Sequence, residues 1–137
     1  VKEGAKLVVD GRNIKLQGYE NGFFIGGCLF DNVTKNMRIY NEEIFGPVLS
    51  IIGYKDDDDA VSIANDTDYG LSGYVSGEPE HAQAIARKLR TGNVHINGAG
   101  PDFSAPFGGY KQSGIGREGG RWGLEDFLQL KSVTGWN

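Results

Sequence analysis

The sequence predicts an α/β fold with a parallel sheet, built on a strand–helix–strand–helix–strand (βαβαβ) core. Three observations carry this reading. Short apolar runs recur at residues 48–54, 72–76 and 93–97. Two stretches of helical character, 56–65 and 79–89, separate them, and the connections are short. Strands joined through helices in this way run parallel, with right-handed crossovers. Ligands then sit beyond the carboxyl ends of the strands. That places a pocket at the Gly/Pro-rich loop 98–114, which leaves the third run.

From the beginning of the chain, Lys6-Leu7-Val8-Val9 and Ile14-Lys15-Leu16 flank Asp10-Gly11, a turn pair, and predict a small edge hairpin. Phe23 to Phe30 is a second strand candidate, interrupted by Gly26-Gly27. Residues 31–41 are polar around Met37, Ile39 and Tyr40, which suits a short helical turn. Val48 to Tyr54 is the first core strand. Asp56 to Asp59 precede Ala60-Val61-Ser62-Ile63-Ala64-Asn65, where carboxylates favour the positive end of a helix and Asp56 or Asp57 is the expected cap. Tyr69-Gly70-Leu71 ends that unit, and Ser72 to Ser76 is the next strand. Pro79 suits the first turn of a second helix. Its stripe of Ala82, Ile85, Ala86 and Leu89 has helical spacing, and Gly92 is expected at the C′ position. Asn93 to Asn97 forms the third core strand. A helix is expected near Arg121–Phe127. Leu130 to Trp136 then alternates as a strand with no partner in the chain.

Composition narrows the function. The chain has 137 residues, 39% of them hydrophobic and 23% charged, which suits one globular catalytic or binding domain. No apolar run approaches the ~20 residues of a membrane helix, and no secretory leader is recognisable. The first residue is Val1, so a cut or processed chain is expected. The net charge of −4, without a basic cluster, argues against nucleic acid as a partner. The single cysteine, Cys28, excludes an internal disulfide and fits a reducing cytoplasm. His81 and His95 are isolated, so no metal site is expected; the Asp56–Asp59 run lacks the spacing of a calcium loop. Glycine, at 22 residues, is the outlier.

Two motifs carry chemistry. Glu42-Glu43-Ile44-Phe45-Gly46-Pro47 joins carboxylates to an aromatic ring and a glycine, and Pro106 to Gly114 reads PFGGYKQSG. In an extended segment, Glu43 and Phe45 would share a face. A carboxylate accepts hydrogen bonds from both hydroxyls of a ribose, while a phenyl ring offers its face to an aromatic base. The same two residues also read as a solvated glutamate beside a core phenylalanine.

These motifs occur in order with Phe23-Phe24-Ile25, Ala64-Asn65, Tyr69-Gly70-Leu71, Thr91-Gly92-Asn93-Val94, Asn97 and Gly116-Arg117-Glu118. In all of them the chain resembles the NAD(P)-dependent aldehyde dehydrogenase superfamily. It is similar to the C-terminal part of the catalytic domain (residues 1–129), followed by an oligomerisation strand or tail (residues 130–137). The resemblance implies oxidation of an aldehyde to a carboxylic acid with NAD or NADP through a cysteine thiohemiacetal. It implies that Glu43 binds the nicotinamide ribose hydroxyls and that Phe45 packs beside the nicotinamide. Phe107 would wall the substrate tunnel, and the loop from Gly100 to Ser104, with Asp102 and Phe103, would shape the outer substrate pocket. Leu130–Trp136 would join an intersubunit sheet of a homo-oligomer.

The family's nucleophile lies far upstream of the EEIFGP motif in a glycine-rich setting, whereas Cys28 is only 15 residues before Glu43. Cys28 is therefore expected to be a small buried hydrophobe. No catalytic residue is assigned in this chain. Alone it is expected to be inactive and to bind no cofactor tightly. A non-catalytic assembly module of the same ancestry is the alternative. An acyl-phosphate reductase of this fold fits the two motifs less well.

Overall fold

A computed structural model describes residues 1–136 of the chain. The backbone divides into two units, Val1–Lys55 and the remainder from Asp56. In the first, strand β1 (Lys6–Val9) pairs antiparallel with β2 (Cys28–Asp31), and β2 pairs parallel with β3 (Val48–Ser50). Lys6 stands opposite Asp31, and Leu7 opposite Phe30. The β2–β3 ladder continues past the strand ends through Cys28 N–H to Pro47 O and Ile51 N–H to Phe30 O, each 2.8 Å. Helix α1 (Arg38–Asn41) is a single turn. The core of this unit is small: Ala5, Val33 and Met37 are buried, with Phe30, Ile39, Tyr40 and Ile52 packed against them.

The expected hairpin between residues 6–9 and 14–16 does not form. The Asp10 carboxylate is captured by Arg12, through Nε at 2.7 Å, Nη2 at 2.6 Å and the backbone N–H at 3.1 Å. These bonds lower its pKa to about 2. With Asp10 held by its neighbour, Gly11 accepts from Gly26 N–H at 2.8 Å, and the next segment to reach β1 is β2. The candidate strand 23–30 shortens to Cys28–Asp31, because Phe23, Phe24 and Ile25 are exposed and unpaired in any ladder.

In the second unit, β4 (Ser72–Val75) and β5 (Asn93–Ile96) pair parallel and in register, with Ser72 opposite Asn93 and Val75 opposite Ile96. Helix α3 (Pro79–Ala86) makes the crossover between them. Helices α2 (Asp57–Asn65) and α4 (Gly120–Glu125) precede and follow this pair. The expected continuous βαβαβ sheet is thus corrected: β4–α3–β5 is formed as anticipated, but β3 finds its ladder in β2. A strand has two hydrogen-bonding edges, and apolar patterning does not say which neighbour takes them.

The helix ends follow local chemistry. Asp56 caps α2, its carboxylate accepting from Asp59 N–H at 2.9 Å. Asp56→Ala is expected to destabilise the protein by about 1 kcal/mol, read as a lower urea midpoint. Asp58→Ala removes only an exposed ion pair to Lys88 at 3.0 Å and is expected to lose less than half as much. Glu78 caps α3 through His81 N–H at 2.9 Å, with Pro79 in the first helical position and Ala82 buried. The α3 helix stops at Ala86, well before Gly92. Its following backbone is drawn away by Asn65, whose side chain donates to Lys88 O at 3.0 Å and accepts from Arg90 N–H at 2.8 Å. Gly92 is therefore not a helix cap.

The segment after α4 forms no regular strand within this chain, and the expected pairing of Leu130–Trp136 in an intersubunit sheet needs a second chain; Asn137 lies outside the described residues. Leu130, Val133 and Trp136 are exposed. Ladder bonds need a second strand, and no described segment supplies one. Among the described residues no helix is long and apolar enough to cross a membrane, and no three His, Cys, Asp or Glu side chains cluster as metal ligands.

Candidate cofactor and substrate site

The EEIFGP segment runs between α1 and β3. Its two glutamates have different environments. Glu42, at the end of α1, takes the Arg38 guanidinium on both carboxylate oxygens, at 2.8 and 2.7 Å. Those bonds hold its pKa below the usual carboxylate range. Glu43 is exposed and has no hydrogen bond or ion pair among the described residues. The pleat argument for its alignment with Phe45 does not carry over, because β3 begins only at Val48. Gly46 N–H instead donates to Ile44 O at 2.8 Å, closing a three-residue turn with Phe45 at its apex. The ring projects there with 96% of its surface exposed. A free carboxylate and a bare aromatic ring two residues apart are able to engage a polyol and a flat heterocycle.

The substrate-side candidates lie in the second unit. Phe107 pairs with Glu118 across an antiparallel bridge, N–H to O at 2.7 Å and back at 2.6 Å. A groove of about 500 Å3 is lined by Val94, His95, Pro101, Asp102, Phe103, Phe107 and their neighbours. Three residues expected in the substrate pocket are thus brought to one concavity. Phe103 is almost fully exposed and Phe107 about half. Asp102 is partly committed: its Oδ1 accepts from Ser104 Oγ at 2.7 Å and Ser104 N–H at 2.9 Å. Both bonds favour the ionised form and lower its pKa. His95 stacks on Tyr74, with centroids 5.0 Å apart, and its Nδ1 lies 3.0 Å from Ala99 O. Nδ1 is the protonated nitrogen of the neutral ring, since a carbonyl can only accept.

Cys28 is buried, and its Sγ accepts from Gly11 N–H at 3.4 Å. It occupies the inner strand of a sheet, in keeping with a packing role.

Several motif residues without an assigned role prove to hold backbone. Gly70 O accepts from both Gly92 N–H at 3.0 Å and Tyr110 N–H at 2.8 Å, while Gly70 N–H donates to Ser113 Oγ at 3.0 Å. Arg117 Nη1 donates to Gly109 O at 3.0 Å and Gly116 O at 2.7 Å, and its guanidinium lies 5.2 Å from the Tyr110 ring centroid. The available signal was the recurrence of polar residues inside glycine motifs, where bare backbone needs side-chain partners.

Known proteins resemble the chain along nearly its whole length. The aldehyde dehydrogenase family profile matches residues 1–133. A 3-succinoylsemialdehyde-pyridine dehydrogenase of a Pseudomonas species is 56% identical over 137 residues, covering 99% of this chain and 28% of that protein. Aldehyde dehydrogenase C of Pseudomonas syringae, solved as a cysteine-to-alanine mutant with NAD+ and octanal, superposes with a TM-score of 0.90 at 48% identity. That match covers 99% of this chain and 28% of the other. A Mycobacterium tuberculosis aldehyde dehydrogenase complexed with NAD+ gives a TM-score of 0.88 at 45% identity, with 99% and 29% covered. The chain thus spans under a third of the length of the relatives it matches. With its family profile, its α/β elements and its motif residues in agreement, this chain belongs to the aldehyde dehydrogenase family.

Proposed function

We propose that the chain is the C-terminal part of the catalytic domain of an NAD(P)-dependent aldehyde dehydrogenase, with residues 130–137 forming an assembly tail. The single observation that carries this reading is the contrast within EEIFGP: Glu42 is bound to Arg38, whereas Glu43 and Phe45 are exposed and unpartnered. Glu43 accepts hydrogen bonds from the two hydroxyls of the nicotinamide ribose. Phe45, at the apex of its turn, packs beside the base. When bound, the cofactor supplies a hydride acceptor. Phe107 walls the aldehyde channel, and Phe103 and Asp102 shape its outer part. The nucleophilic cysteine, which forms the thiohemiacetal, and the base that activates water come from outside these 137 residues.

Support for a part that functions within a larger protein comes from burial. Only five hydrophobic side chains, Ala5, Cys28, Val33, Met37 and Ala82, are buried among the described residues. Aromatic rings such as Phe23, Phe45, Phe103 and Phe127 stand in solvent. Such surface is stable in water when another protein surface covers it. The exposed Leu130, Val133 and Trp136 favour a second reading, an assembly module that joins copies of the chain through its tail. A reading frame that continues upstream into a glycine-rich cysteine motif decides for the enzyme.

Two experiments test the proposal. The purified 137-residue chain is expected to show no NAD(P)-dependent oxidation of octanal or other aldehydes; measurable turnover would transfer the nucleophile's role to Cys28. In the full-length enzyme, Glu43→Gln and Glu42→Gln are compared. Slower hydride transfer only for the first supports the assignment, and equal kinetics remove it.

A further inference from the structure

Lys111 adopts a left-handed backbone conformation, with φ at 54°. A side-chain-bearing residue holds that geometry only where its surroundings over-determine it. Its Nζ donates to Asn65 O and Thr67 O, both at 2.8 Å. These carbonyls lie at the C-terminal end of α2, where acceptors lack helical partners and the helix dipole favours a cation. The same turn is tied down by Tyr110 N–H to Gly70 O at 2.8 Å and Gln112 N–H to Asp68 O at 2.9 Å.

Phe107 stands four residues before Lys111. The two residues after Phe107, Gly108 and Gly109, have no side chains with which to hold their own position. The Phe107 backbone is held on one side by its bridge to Glu118, and the segment after it by Arg117 Nη1 on Gly109 O and by the Lys111 turn. We infer that Lys111 is a positioning residue for the aldehyde channel, clamping the PFGG segment to the end of α2 so that the Phe107 ring keeps its place. The inference rests on Phe107 being a channel wall.

The test uses the full-length enzyme with separate KM values for aldehyde and for NAD. Lys111→Met removes the ammonium and keeps most of the stem. Lys111→Gly also removes the backbone strain, since glycine accepts positive φ. Both are expected to raise the aldehyde KM by roughly fivefold while the NAD KM stays within about twofold, because a displaced wall affects only the substrate it touches. A role confined to stability would lower the melting temperature and leave both KM values unchanged. That result, or an equal rise in both KM values, overturns the inference. Should Lys111→Met fail to fold, the strain-free Lys111→Gly carries the same comparison. Phe107→Ala serves as the control. An unchanged aldehyde KM there ends the channel-wall reading and this inference with it. A changed KM there, with none in the Lys111 variants, ends only the positioning role.

Discussion

In the full-length enzyme, Glu43→Gln is expected to slow hydride transfer by about tenfold or more, while Glu42→Gln stays within about twofold. Hydrogen bonds to a charged acceptor are worth about 1.5–3 kcal/mol, roughly twice those to a neutral one. Glutamine keeps one carbonyl oxygen, so the ribose loses the charge and one acceptor and turns more freely. The loss falls on the reacting geometry, where a small misplacement is costly. Glu42 differs because its carboxylate already belongs to Arg38 in an exposed pair, with side chains 55% and 76% accessible. Such pairs contribute about 0–1 kcal/mol. Single-turnover rates with ordinary and deuterated aldehyde measure the step directly. A Glu43→Gln enzyme with unaltered rate and isotope effect would dissolve the assignment.

Gly92→Ala is expected to destabilise the protein by about 3 kcal/mol or to prevent folding, at the upper end of what overpacking does. A Cβ at this position would overlap the carbonyl of Gly108, which is backbone and cannot rotate away. Gly92 itself is fixed by its N–H bond to Gly70 O. Relief would require separating the β5 entry from the PFGG segment. Gly77 is the internal control: a Cβ there meets nothing within 4 Å. Gly77→Ala is expected to change stability by about 1 kcal/mol or less, with either sign. Urea unfolding of both variants checks the pair, and equal midpoints would show that the 92–108 approach is not tight in solution.

Much of the local structure was legible in the sequence because its causes are local. Asp56 caps α2 as read, Pro79 starts α3, and β4–α3–β5 forms the anticipated parallel crossover. Cys28 is buried, as its apolar surroundings implied. The errors came wherever a partner had to be chosen. Asp10-Gly11 has the composition of a turn, yet Arg12 captures the aspartate and β1 pairs with a segment some twenty residues on. Gly92 looked like a helix stop, while its real constraint is the Gly108 backbone.

The sequence by itself determined the family, the aspartate cap of α2 and the Pro79 start of α3. These depend on side-chain identity and short-range spacing, which a one-dimensional string records. Only the tertiary structure decided that Glu42 is paired while Glu43 is free, that Phe45 tops a three-residue turn, and that Lys111 reaches across to α2. Each of these turns on which groups meet through space, and the energy of a polar group is set by the partner it finds there.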